Sequence, residues 1–454
     1  MQRLDAPRLL SLGRRAGVLL GLIASACALW LHAWLVGRGW LRSDPVGSLD
    51  RPRRFTRRYV AAAMRFRGGL IKLGQVASLR VDVMPEVITD ELARLQDRVE
   101  PHAFAEIRAQ VESELGAPLE ARFAHFEAAP LASASLGQVH RARTLDGRDT
   151  AVKVLYPGIE RSVAVDLAMT KLALWLFNWI AIADMLQVYR ELRDSLLGEM
   201  DYIREAHAGE EIASNLARDP EIAARVRVPR IYWDLTTRRV LAMEFLEGVK
   251  INDPGAVAAL GAQELVLWIS RAFLHMMFRD GFFHCDPHPG NLLLIDGERI
   301  GIIDFGMHRR IAPEVLAAVR KNVLASVRRD PDLYAASLVE AGMVGQGDVE
   351  AVKELAKLAF DPAYYNLTPQ EMMEIDFGEY FRLMRGHLKR IRSFRLPDGL
   401  VMWSRAISLL YGLLVELAPG VRPLDVLGPF VVEFLQGGPP ASLNFGVSEA
   451  SKTV

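Results

Sequence analysis

The chain has 454 residues, 51% of them hydrophobic, so it is long enough for two or three packed units and too apolar to be a disordered protein. Lysine plus arginine balance aspartate plus glutamate at 55 each, which gives no electrostatic ground for a nucleic-acid partner. The two cysteines, Cys27 in an apolar run and Cys285 in a polar loop, exclude a disulfide framework and suit a reducing compartment.

Residues 16–37 carry no formal charge. About 20 such residues cross a bilayer as a helix. Arginine is denser after this run (Arg38, Arg42, Arg51, Arg53, Arg54, Arg57) than before it (Arg3, Arg8, Arg14, Arg15), a bias that puts the large domain on the cytosolic side. A helix lying against the membrane or the domain reads the same. So does a cleaved signal peptide ending near Ala24-Ser25-Ala26-Cys27, although the apolar run continues well past Cys27. Residues 51–58, with five arginines, suit anionic headgroups or a solvated linker. Residues 59–127 read as a helical extension, with Leu92, Leu95, Phe104 and Ile107 at helical spacing and Pro85 and Pro101 as breaks.

Strand character begins in residues 128–156. Gln138 to Ala142 alternates, Asp146-Gly147 is a turn, and Thr150 to Leu155 is the next strand, carrying Lys153. Leu172 to Ala183 is too short to span a membrane and reads as buried between helices. Glu199 to Glu205 reads as helix with three carboxylates, Glu199, Asp201 and Glu205, within two turns. Leu241 to Gly248 reads as a strand followed by a connector.

Residues 282–306 hold the chemistry. Asp286, Asn291 and Asp304 stand at the spacing of phosphoryl-transfer loops, in which an Asp addresses the nucleophile, an Asn holds one magnesium ion and the Asp of Asp-Phe-Gly holds another against nucleotide phosphates. Two strands, Leu292 to Ile295 and Ile300 to Ile303, joined at Asp296-Gly297, would put Asn291 and Asp304 at opposite ends of one small ribbon, facing one pocket. With that loop downstream, Lys153 is placed to contact phosphates, Glu205 or Glu199 to pair with it, and the backbone around Glu244 and Leu246 to meet an adenine edge. His284, Cys285 and His288 raise zinc as an alternative, but the oxygens of Asn291 and Asp304 suit magnesium. Ala312-Pro313-Glu314 falls too soon after Gly306 to close an activation loop and reads as a helix start. Past Met307 the chain reads as almost wholly helical to about Gln436, followed by a frayed Gly, Pro and Ser tail.

Four motifs give the chain a specific likeness. They are Lys72-Leu73-Gly74-Gln75 (with Leu95-Gln96-Asp97 following), the alanine-rich Ala132-Ser133-Ala134-Ser135-Leu136-Gly137-Gln138-Val139-His140, Glu199-Met200-Asp201, and His284-Cys285-Asp286 with Asn291. The sequence resembles the UbiB/ADCK family of atypical protein-kinase-like proteins, linked to ubiquinone biosynthesis, from about Arg65 to Pro429. The resemblance implies an α+β, two-lobed, protein-kinase-like fold, predominantly helical. Its implied parts are an anchor and basic segment (1–58), a helical extension (59–127), an N-lobe with a helical insertion (128–248), a C-lobe (249–436) and a tail (437–454).

It further implies an ATP/ADP- and Mg2+-dependent ATPase or phosphotransferase at a bacterial inner or plasma membrane. Membrane lipids, ubiquinone precursors and biosynthetic enzymes would be its partners, and a homodimer stays open. In the family Lys72 would reach Glu199 or Asp201, with Gln75 beside it, and the extension would cover the groove where a kinase admits protein. Alanine in the phosphate loop restricts the approach of backbone amides relative to glycine, so nucleotide handling should differ from ordinary kinases. Ser133 and Ala208 depart from the family pattern. A nucleotide-switched lipid-binding or assembly factor is the alternative, and a protein kinase the third reading.

Overall fold

The computed structural model describes residues 6–38, 50–66, 68–78, 101–177, 185–361 and 399–422, with scattered positions elsewhere. The expected tail at 437–454 lies outside the described residues. The class is α+β and the described chain predominantly helical. It divides into two compact units, Met1–Ala206 with Arg230–Phe245, and His207–Pro229 with Leu246–Val454.

The first unit begins with helices α1 (Ala6–Gly37), α2 (Asp50–Phe66) and α3 (Gly69–Ser78), which pack with α5 (Ile159–Phe177) around Leu19, Leu22, Ala63, Leu70 and Ile71. The basic stretch is therefore the first half of α2 rather than a linker, with Arg53 and Arg57 joined to the buried carboxylate of Glu91 at 3.3 and 2.9 Å. Leu12–Val36 of α1 is long and apolar enough to cross a membrane, and only 12% of it is buried. Its first half is nonetheless built into the unit.

The guanidinium of Arg15 donates to Asp166 Oδ1 at 2.6 Å and to the Phe66 carbonyl at 2.7 Å, with a second contact to Asp166 Oδ2. Burial pushes the Asp166 carboxyl up, while Arg15 and the amides of Leu70 and Gly69 pull it down. Asp166 thus closes the α3 N-terminus, whose first amides have no partner within the helix. Gly69 is required there, since a Cβ would stand 2.8 Å from Asp166 Oδ2.

Gly74 has a similar constraint. A Cβ would come within 2.1 Å of Leu95 Cδ1 and 3.0 Å of Tyr59 Cε1, and Leu95 is fully buried. Gly74→Ala is expected to destabilise this unit by about 1–3 kcal/mol through overpacking, read as a lowered denaturation midpoint. An unchanged midpoint would mean that α3 has room to shift.

The sheet of the first unit is antiparallel, in the order β1 (Phe123–Phe126), β3 (Gly137–Thr144), β4 (Asp149–Leu155) and β6 (Val240–Glu244), with β2 (Ala132–Ser133) also on β3. The helix α4 (Phe104–Leu115) packs on it through Ile107 and Val111. Two expectations are corrected here. Phe123 to Phe126 is strand, because pairing with β3 outweighs a phenylalanine spacing that also fits a helix. The acidic segment is not one helix: α6 (Met185–Glu199) ends and α7 (Tyr202–Leu216) begins across Met200-Asp201.

The second unit holds the sheet β5 (Val226–Arg227), β10 (Arg299–Ile302), β9 (Leu292–Ile295) and β7 (Val249–Lys250), parallel at β5/β10 and antiparallel elsewhere. A ribbon of β8 (Phe282–His284) and β11 (His308–Arg310) flanks the loop of interest. Around them lie α8 (Pro220–Arg225), α9 (Pro254–Leu260), α10 (Ala262–Leu274), α11 (Pro313–Arg328), α12 (Pro331–Glu340), α13 (Val349–Ala359) and α14 (Leu400–Leu417). Helices α8, α9 and α12 each start at Asp-Pro, the Asp oxygen accepting the first free amides and Pro supplying a helical φ. Pro313 begins α11, as the sequence suggests.

Candidate functional site

In the first unit the site is built around β4. This strand is central, buried on both faces after Asp149, and its β-branched Thr150, Val152 and Val154 suit that environment. Lys153 alternates with them on the opposite face, and at 7% exposure its ammonium needs a fixed partner. Glu205, in the first turn of α7 and 4% exposed, provides it at 2.5 Å. Glu205, one of the two acidic candidates, meets the lysine. Glu199 is the last residue of α6, and Asp201 accepts from the Arg204 amide at 3.3 Å as α7 starts.

The alanine-rich segment is a tight hairpin. Ala132 and Ser133 pair with Val139 and Gln138, and the Ala134 amide donates to the Gly137 carbonyl at 2.8 Å. Ser135 is buried, while Ala132 and Ala134 are exposed. At Gly137 a Cβ would stand 2.4 Å from the Val154 carbonyl oxygen, so the hairpin lies against β4 only with glycine there. Glu244 ends β6, its carboxylate accepting from the Arg230 amide at 3.2 Å. Lys72 and Gln75 lie on α3, but their side chains, and with them the pairing expected for Lys72, fall outside the described residues.

In the second unit, β8 delivers the chain to Asp286. The Asp286 amide donates to His284 Nδ1 at 3.1 Å, so His284 braces the loop backbone, and its ring neighbours those of Phe273 and Phe305. Cys285 is fully buried, which pushes its thiol up to about 12 and leaves it neutral and unreactive. The Asn291 side-chain amide donates to the Asp286 carbonyl at 3.1 Å, which turns its oxygen to the other side as an acceptor.

The hairpin turn has both Asp296 (φ 53°) and Gly297 (φ 74°) in left-handed conformations. Because β9 and β10 are antiparallel, Asn291 and Asp304 stand together at the open end of the ribbon rather than at opposite ends, with the Ile303 amide donating to the Asn291 carbonyl at 3.1 Å. Asp304 Oδ1 accepts from the Gly306 amide at 3.1 Å, and Phe305 is buried. Leu246 is buried near Gly301.

One contact escaped sequence reasoning. Arg405 Nη2, on α14, lies 3.2 Å from Asp286 Oδ1. The loop itself offers only a hint, since Pro287, His288, Pro289 and Gly290 supply no fixed positive charge next to the aspartate.

This donor set suits magnesium. An amide oxygen and a carboxylate are hard ligands, and magnesium typically takes one or two protein oxygens, leaving the rest of its octahedron to phosphates and water. Among the described residues no cluster of three or more His, Cys, Asp or Glu side chains is arranged for a metal, so the zinc alternative has no cage.

Comparison with known proteins shows what the chain is similar to. Residues 94–338 match the ABC1 atypical kinase-like domain. The Arabidopsis thaliana chloroplastic protein Activity of BC1 complex kinase 8 is 31% identical over 88% of this chain and 58% of its own length. "Probable protein kinase UbiB" of Azotobacter vinelandii is 31% identical over 81% of this chain and 68% of its own. The first three curated relatives are matched over only 52–58% of their lengths. A solved structure from Mycobacterium tuberculosis, described as the complex of Rv3197 with erythromycin, is 26% identical, with a TM-score of 0.56 over 81% of this chain and 92% of that one.

Proposed function

Because the chain belongs to the ABC1 atypical kinase-like family and has its kinase-like fold, we propose that it is a magnesium-dependent ATPase working at a membrane in support of ubiquinone or other isoprenoid lipid metabolism. The observation that carries the reading is the loop that ties Asp286 to Asn291 and sets Asn291 beside Asp304 at one end of a hairpin. Asn291 and Asp304 would hold magnesium, which when bound neutralises phosphate charge. Lys153, held by Glu205, would meet the phosphates, and Asp286 would orient the attacking water or hydroxyl.

The membrane part rests on α1 and on the surface around it. Arg51, Arg54 and Arg58 are exposed on α2. A cavity of about 440 Å3, lined by Leu19, Leu22, Tyr59, Leu73 and Met169 among others, opens between α1, α2, α3 and α5. Its few hydroxyls are satisfied by backbone, Tyr59 donating to Leu70 and Thr170 to Asp166, both at 2.7 Å. An apolar chain fits such a lining better than a polar metabolite. The same cavity favours the second reading, a lipid-binding or assembly factor that uses nucleotide only as a switch.

The two separate in one assay, phosphate release by the purified chain with magnesium and ATP, with and without anionic phospholipid vesicles and a ubiquinone-precursor-like phenol. Turnover that rises with vesicles or phenol supports the ATPase. Nucleotide binding without turnover under every condition overturns it in favour of the switch.

A further inference from the structure

We propose that Arg405 is a positioning residue for Asp286, a role that rests on the phosphoryl-transfer reading above. The loop cannot fix this carboxylate by itself. Cys285 precedes the aspartate and Pro287, His288, Pro289 and Gly290 follow it, so its neighbours in the loop include no lysine or arginine. Among the described contacts, the Asp286 carboxylate is met by one group, Arg405 Nη2 on Oδ1 at 3.2 Å, from a helix 119 residues downstream. That helix lies beyond the matched segment 94–338.

The arginine is held from behind. Ala406 beside it is fully buried, Leu410 and Leu413 continue the buried face of α14, and Trp403 packs edge-on to Phe278 with ring centroids 5.4 Å apart. The Arg405 side chain is 21% exposed and that of Asp286 24%, so the pair is neither a loose surface bridge nor sealed from water. An arginine N–H on Oδ1 restrains the carboxylate's rotation and leaves Oδ2 to receive the hydroxyl or water that attacks the phosphoryl group. A planar donor does this where a flexible ammonium does so less well.

The test compares Arg405→Gln, Arg405→Lys, Asp286→Asn and the double variant Arg405→Gln/Asp286→Asn, reading kcat, KM for ATP, nucleotide affinity and the denaturation midpoint. For Arg405→Gln we expect kcat to fall roughly 10- to 100-fold, because small misplacements of a reacting group cost that much. KM and nucleotide affinity should stay within about twofold, since no substrate contact is removed. Arg405→Lys should recover part of the loss, and Arg405→Gln should cost nothing further once Asp286 is Asn.

Turnover of Arg405→Gln within twofold of the unaltered chain overturns the proposal alone. So does an equal loss in the Asp286→Asn background, which would mean that Arg405 acts elsewhere. An unaltered chain that binds nucleotide and never turns it over removes the proposal together with the functional reading on which it rests.

Discussion

Asp304→Asn is expected to abolish magnesium-dependent ATP turnover while leaving the fold intact. Asp304 Oδ1 accepts a hydrogen bond from the Gly306 amide, and an asparagine oxygen can accept the same bond at the same length. Phe305 stays buried and the β9/β10 register is untouched, so stability should change by less than about 0.5 kcal/mol. What disappears is the negative charge that a divalent cation requires when its second protein ligand, Asn291, is neutral. Loss of one preorganised electrostatic partner of this kind costs about 10²- to 10³-fold or more in turnover. The check is phosphate release across a magnesium titration, beside nucleotide binding with and without chelator. Normal turnover in the variant would sink the metal assignment of Asp304.

The second large effect lies at the buried pair of the first unit. Glu205→Ala should destabilise that unit by about 3–5 kcal/mol, because it leaves the Lys153 ammonium buried at 7% exposure with its closest carboxylate gone. Replacing both members by apolar residues of similar size, Lys153→Met with Glu205→Leu, should restore most of that stability, since neither charge then has to be desolvated. It should not restore turnover, because no cation remains to meet phosphate. Chemical denaturation and phosphate release measured on the same preparations separate the two roles. A double variant that hydrolyses ATP normally would remove Lys153 from the site.

The parts of this protein legible in its sequence are those decided within a few residues. Asp296-Gly297 announces a hairpin because two left-handed residues are needed in sequence. The strand bearing Lys153 is marked by alternation with β-branched neighbours, and Pro313 marks the start of α11. What escaped was decided elsewhere in the chain. Phe123 to Phe126 becomes strand only because β3 offers a free edge. The break at Met200-Asp201 interrupts a segment that is helical by composition on both sides. The meeting of Asn291 and Asp304 is the exception, since it is local and follows from the antiparallel closure that the Asp296-Gly297 turn already requires. Arg405 and Asp286, and Arg15 and Asp166, are joined across 119 and 151 positions, and nothing local to either partner names the other.

The Arg15 pair has a practical consequence for anyone preparing this protein. An apolar leading segment invites deletion, on the assumption that it is a tether. Here a chain trimmed to start after Gly37 would lose Leu19 and Leu22 from a packed cluster and strip Asp166 of its guanidinium, leaving a buried carboxylate to hold the α3 N-terminus alone. The fragment would be less sound than the whole, and its failings would be mistaken for those of the site. Solubility is better sought by substituting the outward-facing Leu20, Leu31 and Trp34, which are 48%, 48% and 36% exposed, and keeping the helix that carries them.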